Sequence, residues 1–400
     1  MKIAIITSAY TGFFPSFYKN LSAAIRKRGD ESILLLPNSG INRGNNDAIL
    51  WGYRLNWFIH YYLYRLFGLQ DIFSILSTYD LIRKLKRAHP DIIHLHVINA
   101  WVINMPIFIH FISNSKIKVV WTMHDCRAFT GRCAYFDEVS CDKWKTGCGA
   151  CPQKTNYWPT IIDSSHAVWY FRKSYSSKFK ELTIVTPSIW LKDLVKQSFF
   201  KKFHITCIYN GIDVQRLSPK IRLKTAFFER LRGLKIILGV AAIWEDRKGF
   251  NSFLYLAKYI PQDWRIILVG KLNGLQIKAL PQNIVYYGST NNQSELISLY
   301  QRADVFVNPT LADNFPTTNI ESLACGTPVV TFNTGGCGEA IDDRSGIVVE
   351  KGDNHALLNA VKCVISNTDI FSAENCMKRS LRFSLSQYDK YTQLYHTINN

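Results

Sequence analysis

Short β-branched runs recur along this chain at the spacing of a strand followed by a helix, and that rhythm constrains its fold more than any other feature. Ile3 to Ile6, Ile33 to Leu36, Ile92 to His96, Val119 to Met123 and Thr183 to Thr186 read as strands in the first half. The pattern resumes at Lys235 to Val240, Arg265 to Val269, Val285 to Tyr287, Val305 to Val307 and Pro328 to Phe332. Strands separated by helical stretches predict parallel sheets covered by helices, hence two doubly wound α/β domains. A length of 400 residues is natural for two such cores. The expected domains are residues 1–213 and 214–370. The weakly patterned basic stretch Ile212 to Gly233 reads as the linker, and Phe371 to Asn400 as an amphipathic C-terminal helix. Ligands of such sheets bind beyond the carboxyl ends of the strands, so a cleft between the domains is the expected site.

Composition excludes several classes. Hydrophobic content of 47% with 20% charged residues describes a folded chain, not a disordered one. No run approaches the roughly 20 apolar residues of a membrane span. The longest candidate, Ala100 to Ile112, is interrupted by Asn104 and His110. The opening Met1-Lys2-Ile3-Ala4-Ile5-Ile6 is too short for a signal peptide and reads as a strand, which implies a cytoplasmic protein with its ten cysteines reduced. Net charge is +18, of which +13 lies in residues 1–213. Clusters such as Arg26-Lys27-Arg28, Arg83 to Arg87 and Lys201-Lys202 suit an anionic lipid surface, or are solvated helix ends. No nucleic-acid-binding module accompanies them, so nucleic acid is not an expected partner.

The segment Asp313 to Pro328, DNFPTTNIESLACGTP, places Asp313 and Glu321 eight positions apart around a helix start. Backbone N–H groups near Thr317 to Asn319 are then available to a diphosphate, which the helix dipole also favours. The competing reading is that the two acids only cap the helix. This segment, with the Gly335-Gly336 loop behind it, resembles the acidic-x7-acidic signature of the family-four retaining glycosyltransferases, with Asp313 where Glu is usual. HLHVINAW, WTMHD, FTGRCAYFD, CDKWKTGCGACP and NGID are similar to a subgroup that includes the colanic-acid galactosyltransferase and assembles bacterial surface polysaccharides. The resemblance implies two Rossmann-like domains of the GT-B type, with the C-terminal helix crossing back onto the first.

It also implies roles. Gly12, in the loop after the first strand, would face acceptor and donor diphosphate. His124 would lie beside the transferring sugar; independently of the resemblance, the adjacent Asp125 is placed to orient it, and His94 and His96 read as pocket-wall residues whose role stays open. Lys248 matches the basic residue that pairs with the diphosphate. Ile243 stands where a second cation is usual, leaving Arg247 as its substitute. Asp313, Asn314, Phe315, Pro316, Thr317 and Glu321 would complete the donor site. The implied reaction moves a hexose, with retention, from a UDP- or GDP-sugar to a lipid-linked or growing surface glycan, without a catalytic cofactor, at the inner face of the membrane. A nucleotide-sugar epimerase or hydrolase, or a non-catalytic sugar-binding protein, are the alternatives on the same fold.

Two further features stay open on sequence. Cys133, Cys141, Cys148 and Cys151, spaced C-x7-C-x6-C-x2-C, suit a structural zinc or a small apolar cluster. The aromatic stretch Trp51 to Phe67, with Arg54 and Arg65, suits either a membrane interface or a core helix.

Overall fold

The computed structural model describes residues 1–38, 47–98, 101–156, 158–217, 226–290 and 292–399, so residues 218–225 of the expected linker lie outside it. The chain divides into two compact units. One is Met1–Tyr209 with Ser386–Asn400, and the other is Asn210–Leu385.

The first unit is built on a parallel sheet of seven strands: β1 (Lys2–Ile6), β2 (Glu31–Pro37), β3 (Ala48–Trp51), β4 (Ile92–Leu95), β5 (Lys118–Thr122), β6 (Leu182–Thr186) and β7 (His204–Cys207). Their order is β3-β2-β1-β4-β5-β6-β7. The second unit has β8 (Lys235–Ile243), β9 (Trp264–Lys271), β10 (Ile284–Gly288), β11 (Val305–Asn308), β12 (Val329–Phe332) and β13 (Gly346–Val349), in the order β10-β9-β8-β11-β12-β13, also parallel. Both sheets are doubly wound. Central strands such as β4, β11 and β12 are buried along their whole length, as a sheet covered on both faces requires. The strands not anticipated from sequence, β3, β7 and β13, are three of the four partly exposed edge strands, where burial writes a weaker apolar signal.

The C-terminal tail is two helices, not one. Ala373–Ser380 packs in the second unit against helix Thr317–Ala324, a short turn follows at Leu381–Phe383, and Ser386–Asn399 joins the first unit. Its Tyr388, Tyr391 and Tyr395, spaced i, i+3, i+7, bury one face among Ile5, Phe17 and Val120. Helix Arg54–Phe67 is not a core helix, since only His60 and Tyr64 are buried on it. Among the described residues, no helix is long and apolar enough to cross a membrane.

Candidate active site

In the second unit the strand order reverses between β8 and β11, and the crevice at such a reversal is where doubly wound sheets bind ligands. The segments that leave these two strands carry the expected donor residues. After β8 the chain makes a short turn, Asp246–Lys248, closed by Gly249 in the left-handed region at φ 76°. A Cβ there would stand 2.0 Å from the Pro309 carbonyl oxygen, so only glycine lets this turn seat against the loop after β11. Two bonds to the Arg247 carbonyl stitch the loops together, from Leu311 N–H (2.8 Å) and the Thr310 hydroxyl (3.2 Å). The Arg247 guanidinium donates to the Ala312 carbonyl at 2.8 Å. One residue further on, Lys248 Nζ pairs with Asp313 Oδ2 at 2.7 Å, both side chains mostly buried. The expected diphosphate cation and the expected sugar-binding acid therefore neutralise one another. Ile243 is 55% exposed and offers no polar group.

The loop 313–316 is held from behind. Gly336 N–H donates to the Asn314 carbonyl at 2.7 Å, and Gly335 (φ 55°) lies so close that a Cβ would be 1.8 Å from the Asp313 oxygen. Asn314, Phe315 and Pro316 are buried. Helix Thr317–Ala324 starts with Pro316 at its N-cap, no side-chain cap and no acid in its first turn. This contradicts the capping reading of the acidic pair, because Glu321 sits in the second turn. The Thr317 and Thr318 amides lie at the helix's positive end, and the nearest carboxylate on the helix is that of Glu321, one turn on. Asn319 was missed from sequence as a site residue. Fully buried, it accepts from Asn308 Nδ2 at 2.7 Å and donates to the Cys337 carbonyl at 3.1 Å, joining β11, the helix and the glycine loop.

Gly12 and His124 belong to the first unit. Gly12 follows β1 with φ 63°, and a Cβ there would meet nothing within 4 Å. His124 stands two residues beyond the end of β5. Asp125 does not orient it. The Asp125 carboxylate accepts from Arg127 N–H at 2.9 Å and pairs with the Arg127 side chain at 3.2 Å. His124 instead shares a hydrogen bond with His96, Nε2 to Nδ1 at 3.0 Å, and edges against Phe14 and Phe17. His96 Nε2 is buried without a partner. A bare lone pair costs less there than an orphaned N–H, which puts the His96 proton on Nδ1 and makes His124 Nε2 the acceptor. His94 and His96 are not pocket walls, being 0% and 2% exposed. His94 bonds Tyr395 at 2.6 Å and Thr122 at 2.8 Å, tying the C-terminal helix to the sheet. Burial holds the pKa of His94 and His96 well below the usual imidazole range and drives His124 down to about 3.

Residues 16–216 match the model of glycosyltransferase family 4, which covers half of the chain. The chain belongs to glycosyltransferase family 4. Residues 234–367 match the glycosyl transferases group 1 model. Over 353 residues this glycosyltransferase is 26% identical to WcaC of Escherichia coli (strain K12), assigned to colanic acid biosynthesis, across 84% of this chain and 83% of that one. Its fold matches sucrose-phosphate synthase from Thermosynechococcus elongatus with a TM-score of 0.72 at 16% identity, covering 100% of this chain and 99% of the other. Anabaena Alr3699/HepE, solved in complex with UDP, matches with a TM-score of 0.68 at 14% identity over 100% and 99%. The shared architecture is GT-B, as the sequence resemblance implied.

In this glycosyltransferase the four cysteines lie near one another, Cys133 interacting with Cys141, Cys148 and Cys151. Among the described residues, no three His, Cys, Asp or Glu side chains are disposed to hold a metal ion. The thiols also engage protein groups. Cys133 hydrogen-bonds Cys151, which lowers the Cys151 pKa and raises its own, and Cys148 Sγ accepts from Gly131 N–H at 3.2 Å. All four pack on the core of the first unit.

Glu321 accepts from Thr317 and, at 3.4 Å, from the Tyr300 hydroxyl, while desolvation raises its pKa above the ordinary carboxylate value. A raised pKa means that the carboxylate form costs folding stability, and increasingly so as pH rises through the folded value. Glu321→Gln is therefore expected to melt at or above the parent enzyme, with the gap widening as pH rises above the ordinary carboxylate value and levelling off beyond the folded one. Its KM for donor should rise by roughly 10- to 100-fold, the loss of charge-assisted hydrogen bonds to hydroxyls. Thermal melts and steady-state kinetics on one preparation check both, and a variant less stable at pH 8 with unchanged KM contradicts the assignment.

Proposed function

We propose that this glycosyltransferase moves a hexose from a UDP- or GDP-linked sugar, with retained anomeric configuration, to a lipid-linked or growing bacterial surface polysaccharide at the inner face of the membrane. The observation that carries this reading is the convergence of Lys248, Asp313 and the uncapped start of helix Thr317–Ala324 at the β8/β11 reversal. Bond cleavage spreads negative charge onto the leaving diphosphate and positive charge onto the anomeric carbon, so a fixed cation and oriented amides act where charge develops. The acceptor hydroxyl attacks from the face the diphosphate is leaving, and a departing phosphate oxygen takes its proton. Asp313 accepts sugar hydroxyls, Glu321 the ribose, and His124, neutral at physiological pH, hydrogen-bonds the transferring sugar. The similarity to WcaC supports a surface-polysaccharide acceptor, and the UDP bound by Alr3699/HepE supports a nucleoside diphosphate donor.

A panel of UDP, GDP, ADP and their sugars, read by thermal stabilisation, tests the donor class. A ligand present at 100 times its Kd adds about 2.7 kcal/mol to folding. One nucleotide series is expected to raise the melting temperature selectively, with the sugar conjugate then turned over only when acceptor is added. Donor turnover without acceptor points to a hydrolase or epimerase. No shift with any member sinks the donor reading.

A further inference from the structure

Helix Arg54–Phe67 is apolar on both faces. Its inner side packs Trp57, Tyr61 and Tyr64 around Trp101. Its outer side carries Leu55, Phe58, Ile59, Tyr62 and Leu66, spaced i, i+3, i+4, i+7, i+11, and every one is exposed, Leu55 by 70% and Tyr62 by 67%. A helix of a water-soluble surface shows the reverse pattern, with its outward stripe polar. The next helix, Ile75–Ala88, repeats the feature with Leu76 at 64% and Tyr79 at 58% exposed. The two outward stripes meet along a groove of about 530 Å³ lined by Tyr53, Leu55, Ile59, Leu76 and Tyr79, with Arg83 among its walls. Contiguous exposed apolar surface of this kind marks an interaction site.

Charge selects the occupant. The two helices carry six basic residues, Arg54, Arg65, Arg83, Lys84, Lys86 and Arg87, and one acid, Asp80. That acid is buried and paired with Arg83 and Lys84, each at 2.6 Å. Asp71, the other acid between residues 48 and 90, is buried against Arg172. Every exposed charge on this face is therefore positive. Leucine, isoleucine and tyrosine side chains framed by arginine and lysine fit the boundary of an anionic bilayer, where rings and aliphatic chains enter the acyl edge and the cations meet phosphates.

We infer that the outward stripes of helices Arg54–Phe67 and Ile75–Ala88 form a docking face for an anionic lipid bilayer. It deepens the membrane-side reading proposed above and rests on it for its setting, but binding requires neither donor nor acceptor. Sedimentation of the full chain with vesicles tests it, using phosphatidylcholine alone and phosphatidylcholine with 30% phosphatidylglycerol, beside the triple variant Leu55→Ser, Tyr62→Ser, Leu76→Ser. These three positions are largely exposed, so the variant should keep the parent's melting temperature and its donor-induced thermal shift. Expected is binding to the anionic vesicles that falls on the order of tenfold or more in the triple variant. Arg54→Ala with Arg65→Ala should weaken it by about fivefold per charge removed. Equal binding by parent and triple variant overturns the inference. So does a parent that ignores both vesicle types, or one that forms a dimer which the triple variant dissolves, since the face would then be a contact between copies. None of these results bears on sugar transfer, which the donor panel reads separately.

Discussion

Lys248→Ala is expected to cut kcat by roughly 10²- to 10³-fold, the range seen when one preorganised donor to a developing anion is removed. The ion pair at 2.7 Å makes the effect more informative than a simple deletion. Without ligand, Asp313 neutralises Lys248, and a diphosphate entering the crevice competes with that carboxylate for the ammonium. Asp313→Asn removes the competitor and keeps a side chain of the same shape. It is expected to bind free nucleoside diphosphate as tightly as the parent or tighter, while losing turnover because the sugar hydroxyls lose their charged acceptor. The two variants thus move product affinity in opposite directions and turnover in the same one. Isothermal titration with the nucleoside diphosphate, alongside initial rates, reads both. Weaker nucleotide binding in Asp313→Asn would mean that the carboxylate orients Lys248 toward the phosphate. Unchanged turnover in Lys248→Ala would remove the cation from the mechanism, leaving the helix N-terminus with Arg247. The Arg247 guanidinium already holds the Ala312 carbonyl, so its replacement should loosen the loop itself.

The parts of this enzyme that were legible in its sequence are those whose signal is local. Central strands write near-continuous apolar runs because both faces are covered, and all ten expected from those runs are present. Lys248, Asp313 and Glu321 were singled out by resemblance to the family signature, and the fold pairs Lys248 with Asp313 and seats Glu321 in the helix that follows. What stayed hidden depends on partners far away in the chain. Tyr395 reaches His94 across 301 positions, and Tyr300 reaches Glu321 across 21. Asn319, inside the signature segment, gave no sign that its amide joins three elements. Asp125 misled because a carboxylate next to a histidine suggests a pair. Its side chain finds the following backbone N–H and Arg127 at shorter reach. The aromatic stretch 51–67 was ambiguous for a physical reason, since a core helix and an interfacial helix use the same residues. Only the exposure of the outer stripe separates them.

A steep loss of stability in mild acid should follow from the histidines of the first unit. His60, His94 and His96 are fully or almost fully buried, and burial lowers the pKa of each, His60 to about 4 and the other two well below the ordinary 6.5. Folded, they stay neutral, whereas the unfolded chain takes up protons as soon as pH falls below about 6.5. The sign follows from linkage: the contribution is fully present above pH 6.5 and is lost as pH falls toward the folded values. Each ring costs about 1.4 kcal/mol per pH unit between 6.5 and its folded value, so His60, lowered to about 4, accounts for about 2 kcal/mol of the loss at pH 5. For a unit of this size the His60 share alone corresponds to a fall in melting temperature of roughly 5 °C between pH 7.5 and pH 5, and His94 and His96 add to it in the same direction. His94 and His96 have centroids 4.0 Å apart, so protonating one opposes protonating the other and the native state has no cheap route to accept the charge. His60→Gln, which can still bond Ser74, should recover the His60 share of the loss without altering stability at pH 7.5 by a comparable amount. Melting curves of parent and variant at half-unit steps check this. A parent melting temperature that stays flat down to pH 5 would mean that these rings are protonated in the native state, and that the Tyr395–His94 and His96–His124 bonds rearrange with it.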